Sequence, residues 1–235
     1  MKQVDSIRYS RLAAVEGMGD EGVARLNEGK VFVIGCGALG SLCAMYLAAS
    51  GVGTVGIADF DTIDISNLQR QLFFDEMTLG QPKCAVLASK MRAINSGIRV
   101  VECPGMINEK MAAGIFAGYD FIIDGSDNPA TKLMTARVCE SIDKPYCIGG
   151  VREMSGQAMS WSPGHAGYAE IFGDTAPCSG FTPCSVGGVL GPAAGIVASV
   201  QAAEALKYLS GAGQNLFDRL LTFDLRDTAA QVLGF

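Results

Sequence analysis

VFVIGCGALGS, residues 31–41, decides the fold of this chain. Its first four residues are apolar, three of them are β-branched, and none alternates with a polar neighbour. That is the pattern of a short strand buried on both faces, as in a parallel sheet. Gly35-Cys36-Gly37-Ala38-Leu39-Gly40 comes next, and residues 41–50 read as a helix that stops at Gly51. A G-x-G-x-x-G turn between a strand and a helix lets the backbone reverse tightly and approach a phosphate at the positive helix end. By itself the motif fits NAD and other adenine nucleotides equally well.

The pattern continues outward. Residues 55–58, 100–103, 121–124 and 145–148 read as further strands, and 81–95, 109–116 and 131–141 as helices. In the 81–95 helix Pro82 stands near the first turn, and Ala85, Ala88, Met91 and Ile94 share one face. Strands alternating with helices predict an α/β fold with a doubly wound, mainly parallel, Rossmann-like sheet. Beyond Gly150 the pattern changes. Residues 157–161 and 220–225 predict antiparallel strands that extend the sheet, separated by a long loop over 162–191 and a helix over 193–209. No linker, repeat or low-complexity tract interrupts residues 1–235, so a single domain is expected.

Composition narrows the function classes. A chain of 235 residues buries enough surface for one large core without disulfides. With 18 basic against 24 acidic residues, the net charge of −6 argues against binding nucleic acid or an anionic membrane. The uncharged stretches 31–58 and 175–203 are broken by Gly or Pro, so no transmembrane segment is expected. MKQVDSIRYSRL lacks the apolar run of a signal peptide, and no two of the eight cysteines are spaced C-x-x-C. These features predict a cytoplasmic protein with free thiols.

The residues after the second strand separate the nucleotide classes. Asp59 ends that strand, where a carboxylate meets ribose hydroxyls. Arg70, in Ser66-Asn67-Leu68-Gln69-Arg70-Gln71, and Lys83, in Gly80-Gln81-Pro82-Lys83, add two cations near the phosphate end of the sheet. A pyrophosphate resting on backbone amides has no need of them, whereas a triphosphate undergoing cleavage does. Asp127 comes after another strand end, a place from which to hold Mg²⁺ against phosphates. These residues therefore favour ATP over an NAD-dependent oxidoreductase.

RYSR at 8–11, GCGALG, DFD at 59–61, SNLQRQ at 66–71, GQPK at 80–83, SDN at 126–128 and TPCSVGGVLGP at 182–192 occur in this order. In that order and spacing the chain resembles the ThiF/MoeB/HesA group, the bacterial relatives of ubiquitin-activating (E1) enzymes. The resemblance implies ATP and Mg²⁺ as cofactors. It also implies adenylation of the C-terminal glycine carboxylate of a ubiquitin-like sulfur carrier of the ThiS/MoaD type ending in Gly-Gly. It places Gly35, Gly37, Ala38 and Gly40 in the phosphate loop, and Asp59 with Asp61 in the nucleotide site. Ser66, Asn67, Arg70 and Lys83 fall on the phosphates, and Asp127 with Asn128 on the metal and nucleotide. Arg11 is implied to reach the triphosphate of a second subunit, hence a homodimer. Cys184 stands where the family carries its reactive cysteine, with a sulfurtransferase as a candidate donor. The thiamin thiazole pathway is the first expectation and a MoeB-like role in molybdopterin synthesis the alternative. A tRNA-modifying dehydratase of the same superfamily is more remote.

Most members of that group carry a structural zinc on two C-x-x-C pairs. Here Gly167-Tyr168-Ala169-Glu170 occupies the place of the first pair, no second pair precedes Phe235, and His165 is the single histidine. No zinc is expected.

Overall fold

The computed structural model describes residues 7–174 and 188–235. The strands are β1 (Lys30–Ile34), β2 (Thr54–Asp59), β3 (Arg99–Pro104), β4 (Phe121–Asp124), β5 (Tyr146–Arg152), β6 (Ser155–Trp161), β7 (Arg219–Asp224) and β8 (Ala229–Gly234). They form one sheet in the order β3-β2-β1-β4-β5-β6-β7-β8. The first five are parallel, and β6, β7 and β8 add antiparallel neighbours. The helices are α1 (Ser10–Ala13), α2 (Gly19–Glu28), α3 (Ala38–Ala49), α4 (Lys83–Ile94), α5 (Glu109–Phe116), α6 (Pro129–Ser141), α7 (Tyr168–Phe172) and α8 (Gly191–Ser210).

Successive side chains of a strand point to opposite faces, and both faces here are apolar. Val31 and Val33 of β1 and Val55 and Ile57 of β2 pack with α2, α3, α4 and α8 in one core. Phe32, Ile34, Ala58 and Ile122 pack with α5 and α6 in the other. This double covering is why β1 shows no polar alternation. The sheet runs outward from β1 in both directions, through β2 on one side and β4 on the other. Their carboxyl ends therefore open a crevice where the crossover direction reverses, the usual ligand position in such sheets.

The doubly wound α/β class agrees with the sequence reading, and the helix over 109–116 coincides with α5. The boundaries that differ do so for local reasons. α3 starts at Ala38 rather than 41, because the glycine motif itself forms its first turn, with Gly37 as N-cap. Pro82 lies just outside α4 as its N-cap residue. β5 and β6 run on into a tight hairpin in which Glu153 takes φ +53°. The expected loop over 162–191 contains α7. α1, α2 and β8 have no counterpart in the sequence reading. β8 is exposed along its whole length, so no buried face imprinted a pattern on its sequence.

Two glycines shape the turn after β1. Gly35 has φ +85°, a left-handed conformation that side chains rarely adopt. A β-carbon on Gly40 would lie 1.8 Å from the Gly35 carbonyl oxygen, so only hydrogen fits there. Gly40→Ala should destabilise the protein by about 3 kcal/mol through overpacking against backbone that cannot yield. Gly114→Ala, in the last turn of α5 with open space around it, should stabilise by about 0.5–1 kcal/mol. Urea denaturation of both variants checks the pair; equal effects would contradict the packing argument.

Candidate active site

The crevice between the β1 and β4 ends opens into a cleft of about 760 Å³. Gly35, Gly37, Ala38, Asp59, Asp61, Asn67, Arg70, Lys83, Asp127 and Asn128 all line it. The structure thus brings together residues separated by up to 93 positions, the span from Gly35 to Asn128. Gly40 and Ser66 do not line the cleft. Gly40 is buried behind the turn, and Ser66 supports the loop from outside.

The loop and helix positions follow from local chemistry. Among the described residues no side chain caps α3, so the amides of its first turn remain available to an anion at the positive helix end. The Asp59 carboxylate accepts from the backbone N–H of Cys36 at 2.6 Å and of Asp61 at 2.8 Å, tying the end of β2 to the glycine turn after β1. Each carboxylate oxygen keeps a lone pair for a further donor.

After β2, Asp64 and Asn67 form a reciprocal cap around a short 3₁₀ turn. The Ser66 hydroxyl donates to Asp64 at 2.6 Å and holds that carboxyl below its ordinary range. Asn67 accepts from the Asp64 N–H through Oδ1, and Asn128 accepts from the Ala130 N–H in the same way at 2.8 Å. Both asparagines spend the carbonyl on a cap and keep amide donors for the cleft. Arg70 folds back so that Nη1 donates to the Ser66 carbonyl at 3.0 Å.

Lys83 is 5% exposed and pairs with Asp61 at 2.9 Å. Asp61 therefore acts first on the lysine: it neutralises and aims a buried cation. Asp127 is exposed, and its carboxylate has no hydrogen-bond or ion-pair partner among the described residues. Gln71 is a cleft residue that sequence reasoning does not single out. It is 4% exposed, it lines the cleft, and its Oε1 is buried without a partner among the described residues. Its place at the end of the SNLQRQ motif is the available signal.

Arg11 sits on α1, exposed and outside the cleft. Cys184, like Cys178, lies outside the described residues. The 162–172 segment is held by other groups. His165 Nδ1 lies 2.7 Å from Asp218, the His165 ring stacks on Phe217, and the Trp161 indole donates to the His165 carbonyl. Gly167 caps α7, and the Tyr168 N–H donates to the Tyr146 hydroxyl at 2.9 Å. Among the described residues no three His, Cys, Asp or Glu side chains converge on a metal position. A divalent ion held by one carboxylate together with substrate phosphates requires no such cluster.

A doubly wound sheet, an uncapped helix N-terminus and a cleft that gathers cations beside a carboxylate without a partner among the described residues define the candidate site of this α/β protein. The chain belongs to the ThiF family, which it matches over residues 9–233. It is 38% identical over 222 residues to the probable adenylyltransferase/sulfurtransferase MoeZ of Mycobacterium tuberculosis, covering 92% of this chain and 57% of that one. It is 36% identical over 227 residues to the adenylyltransferase and sulfurtransferase MOCS3-1 of Zea mays, covering 96% and 48%. The chain thus spans about half the length of these relatives. Among solved structures, E. coli MccB with ATP superposes with a TM-score of 0.84 at 23% identity, covering 97% of this chain and 71% of that one. That likeness shows the fold.

The described cysteines are free thiols and mostly buried. Burial pushes the thiols of Cys43, Cys139 and Cys147 up, and at Cys36 a contact with Cys84, 3.6 Å between sulfurs, does so ahead of burial. Thiolates, not thiols, react with alkylating agents. Iodoacetamide at pH 8 should leave Cys36, Cys43, Cys139 and Cys147 unmodified in the native protein, as read by peptide mass spectrometry. Rapid labelling of any of the four would contradict this packing.

Proposed function

We propose that this chain is an ATP-dependent adenylyltransferase that activates the C-terminal glycine carboxylate of a small ubiquitin-like sulfur carrier ending in Gly-Gly. One observation carries the reading. A single cleft presents free helix amides, the Asn67 and Asn128 amides, Arg70, a buried Lys83 and the unpartnered Asp127 to the same space. A dinucleotide does not need this set, and a triphosphate losing pyrophosphate does. The names of the relatives, MoeZ and MOCS3, move the pathway reading from the thiamin branch expected from the sequence to the MoeB-like alternative.

In this reading Asp59 takes the ribose hydroxyls, held in place by the Cys36 and Asp61 N–H groups. The α3 amides, Asn67 and Arg70 receive the phosphates. Lys83, aimed by Asp61, faces the charge that accumulates on the departing pyrophosphate. The glycine carboxylate is already ionised at neutral pH, so no side chain has to remove a proton. The rest of the cleft, lined by Gly149, Gly150, Gly156, Gln157 and Tyr168 among others, suits an extended tail of small residues. Asp127, exposed and without a partner, fits a Mg²⁺ carried by the phosphates, with Asn128 beside it. When bound, that ion neutralises phosphate charge.

The homodimer is part of the same proposal. Arg11 lies outside its own cleft, and α3 with α8 exposes an apolar strip that includes Leu42, Pro192, Ile196 and Val200. In this view residues 1–235 act as one adenylation domain in the cytoplasm. Among the described residues no helix is long and apolar enough to cross a membrane. Cys184 is assigned the later sulfur-transfer chemistry by the family resemblance alone.

ATP–pyrophosphate exchange with a panel of Gly-Gly carriers tests the reading. Exchange should depend on one carrier, and Asp127→Ala should lower it by about 10²–10³-fold. Near-normal exchange in that variant would sink the role of Asp127. Arg11→Ala should be inactive alone and regain exchange when mixed with Lys83→Ala subunits; no recovery would place Arg11 in its own site or outside the reaction.

A further inference from the structure

Beneath the Asp127 loop lies a buried polar cluster with no part in the chemistry proposed so far. Asp124, the last residue of β4, is fully buried. Its Oδ1 accepts from the Ser126 N–H at 2.9 Å, the Ser126 hydroxyl at 2.6 Å and Lys132 Nζ at 3.2 Å, and its Oδ2 accepts from the Thr135 hydroxyl at 2.8 Å. Lys132, in the first half of α6 and 8% exposed, spends its remaining protons on two backbone carbonyls. These are Ser126, at 2.5 Å, and Gly149, at 2.7 Å. Gln201 of α8 donates to the Asp124 carbonyl at 2.7 Å.

An ion pair this deep is weak evidence for stability, because desolvation offsets most of the attraction. Its geometry is what sets it apart. The ammonium joins β4, the 125–128 loop, α6 and β5 at one point. Ser126 is fixed through its N–H, its hydroxyl and its carbonyl, and Asn128 is fixed by its cap on α6. Asp127, between them, has a constrained backbone and a free carboxylate. The third acceptor, Gly149, lines the same cleft.

We propose that Lys132 is a positioning residue for adenylation. It sets the Asp127 loop against the Gly149 peptide, and so fixes the metal-and-phosphate side of the cleft relative to the strand along which the acceptor carboxylate lies. The inference rests on the adenylation reading. An attacking carboxylate displaced by about 1 Å loses about 10²-fold in rate, so the effect belongs in kcat rather than in carrier affinity.

Lys132→Met removes the clamp with little change in volume. The expected result is a kcat for ATP–pyrophosphate exchange lower by about 10²-fold, with the carrier KM within about threefold. Lys132→Arg should restore at least a tenth of the activity. In an Asp127→Asn background Lys132→Met should add less than a threefold loss, because it acts through Asp127. Two readouts do not depend on turnover. Calorimetry of ATP binding should show the Mg²⁺-dependent gain in affinity shrinking at least fivefold in Lys132→Met, with affinity in EDTA unchanged. Amide hydrogen exchange at Ser126 should speed up.

Where Lys132→Met leaves Asp124 unpaired and the protein fails to fold, the charge-neutral pair Asp124→Asn with Lys132→Met replaces it. Wild-type kcat and an unaltered Mg²⁺ effect in a folded variant would overturn the proposal, as would full additivity with Asp127→Asn. If the wild-type protein exchanges with no carrier, the adenylation reading fails on its own. The calorimetric and exchange results then still decide whether Lys132 places Asp127.

Discussion

The turn after β1 is backbone packed on backbone, and the site depends on it. The Gly35 carbonyl oxygen occupies the space a β-carbon on residue 40 would need, 1.8 Å away. The 125–128 side of the crevice is similarly close, since a β-carbon on Gly125 would lie 2.8 Å from the Gly40 nitrogen. Three chain segments therefore meet without side chains between them. The α3 amides are thereby held at the mouth of the crevice, between the β2 and β4 ends, where the Asp59 and Asp127 carboxylates stand.

Around that contact the charged and polar groups of the cleft fall into two sets. In one, Asp127 has no partner among the described residues, and Arg70 and the two asparagines are held by bonds within their own loops. The other set is already paired. Asp59 is occupied by backbone N–H groups, Lys83 by Asp61, and Lys132 by Asp124 and two carbonyls. Paired groups are oriented before a ligand arrives, which spares reorganisation when charge develops in a reaction.

Much of this is legible in the chain. The non-alternating run at 31–34, the glycine motif and the α/β alternation identify the doubly wound sheet, because strands buried on two faces leave a distinctive pattern. Asp59 and Asp127 stand out by their position at strand ends, and Asn67, Arg70 and Lys83 by their motifs; all five line one cleft. β8 leaves no signal because none of it is buried. α2 escapes the sequence reading although Val23 and Leu26 are buried, since only two large apolar residues of a ten-residue helix mark its inner face.

By itself the sequence therefore determined the class of fold, the glycine turn after β1 and the set of charged groups at the strand ends. Each of these depends on local rules: glycine conformations, strand burial and the position of a residue just after a strand. The tertiary structure alone decided which charges are paired. Asp61 lies 22 positions from Lys83, and Lys132 reaches across 17 to Gly149. No local rule distinguishes Lys132 from a solvated helix lysine. Only the folding of β4, β5 and α6 around it brings three acceptors within reach of one ammonium.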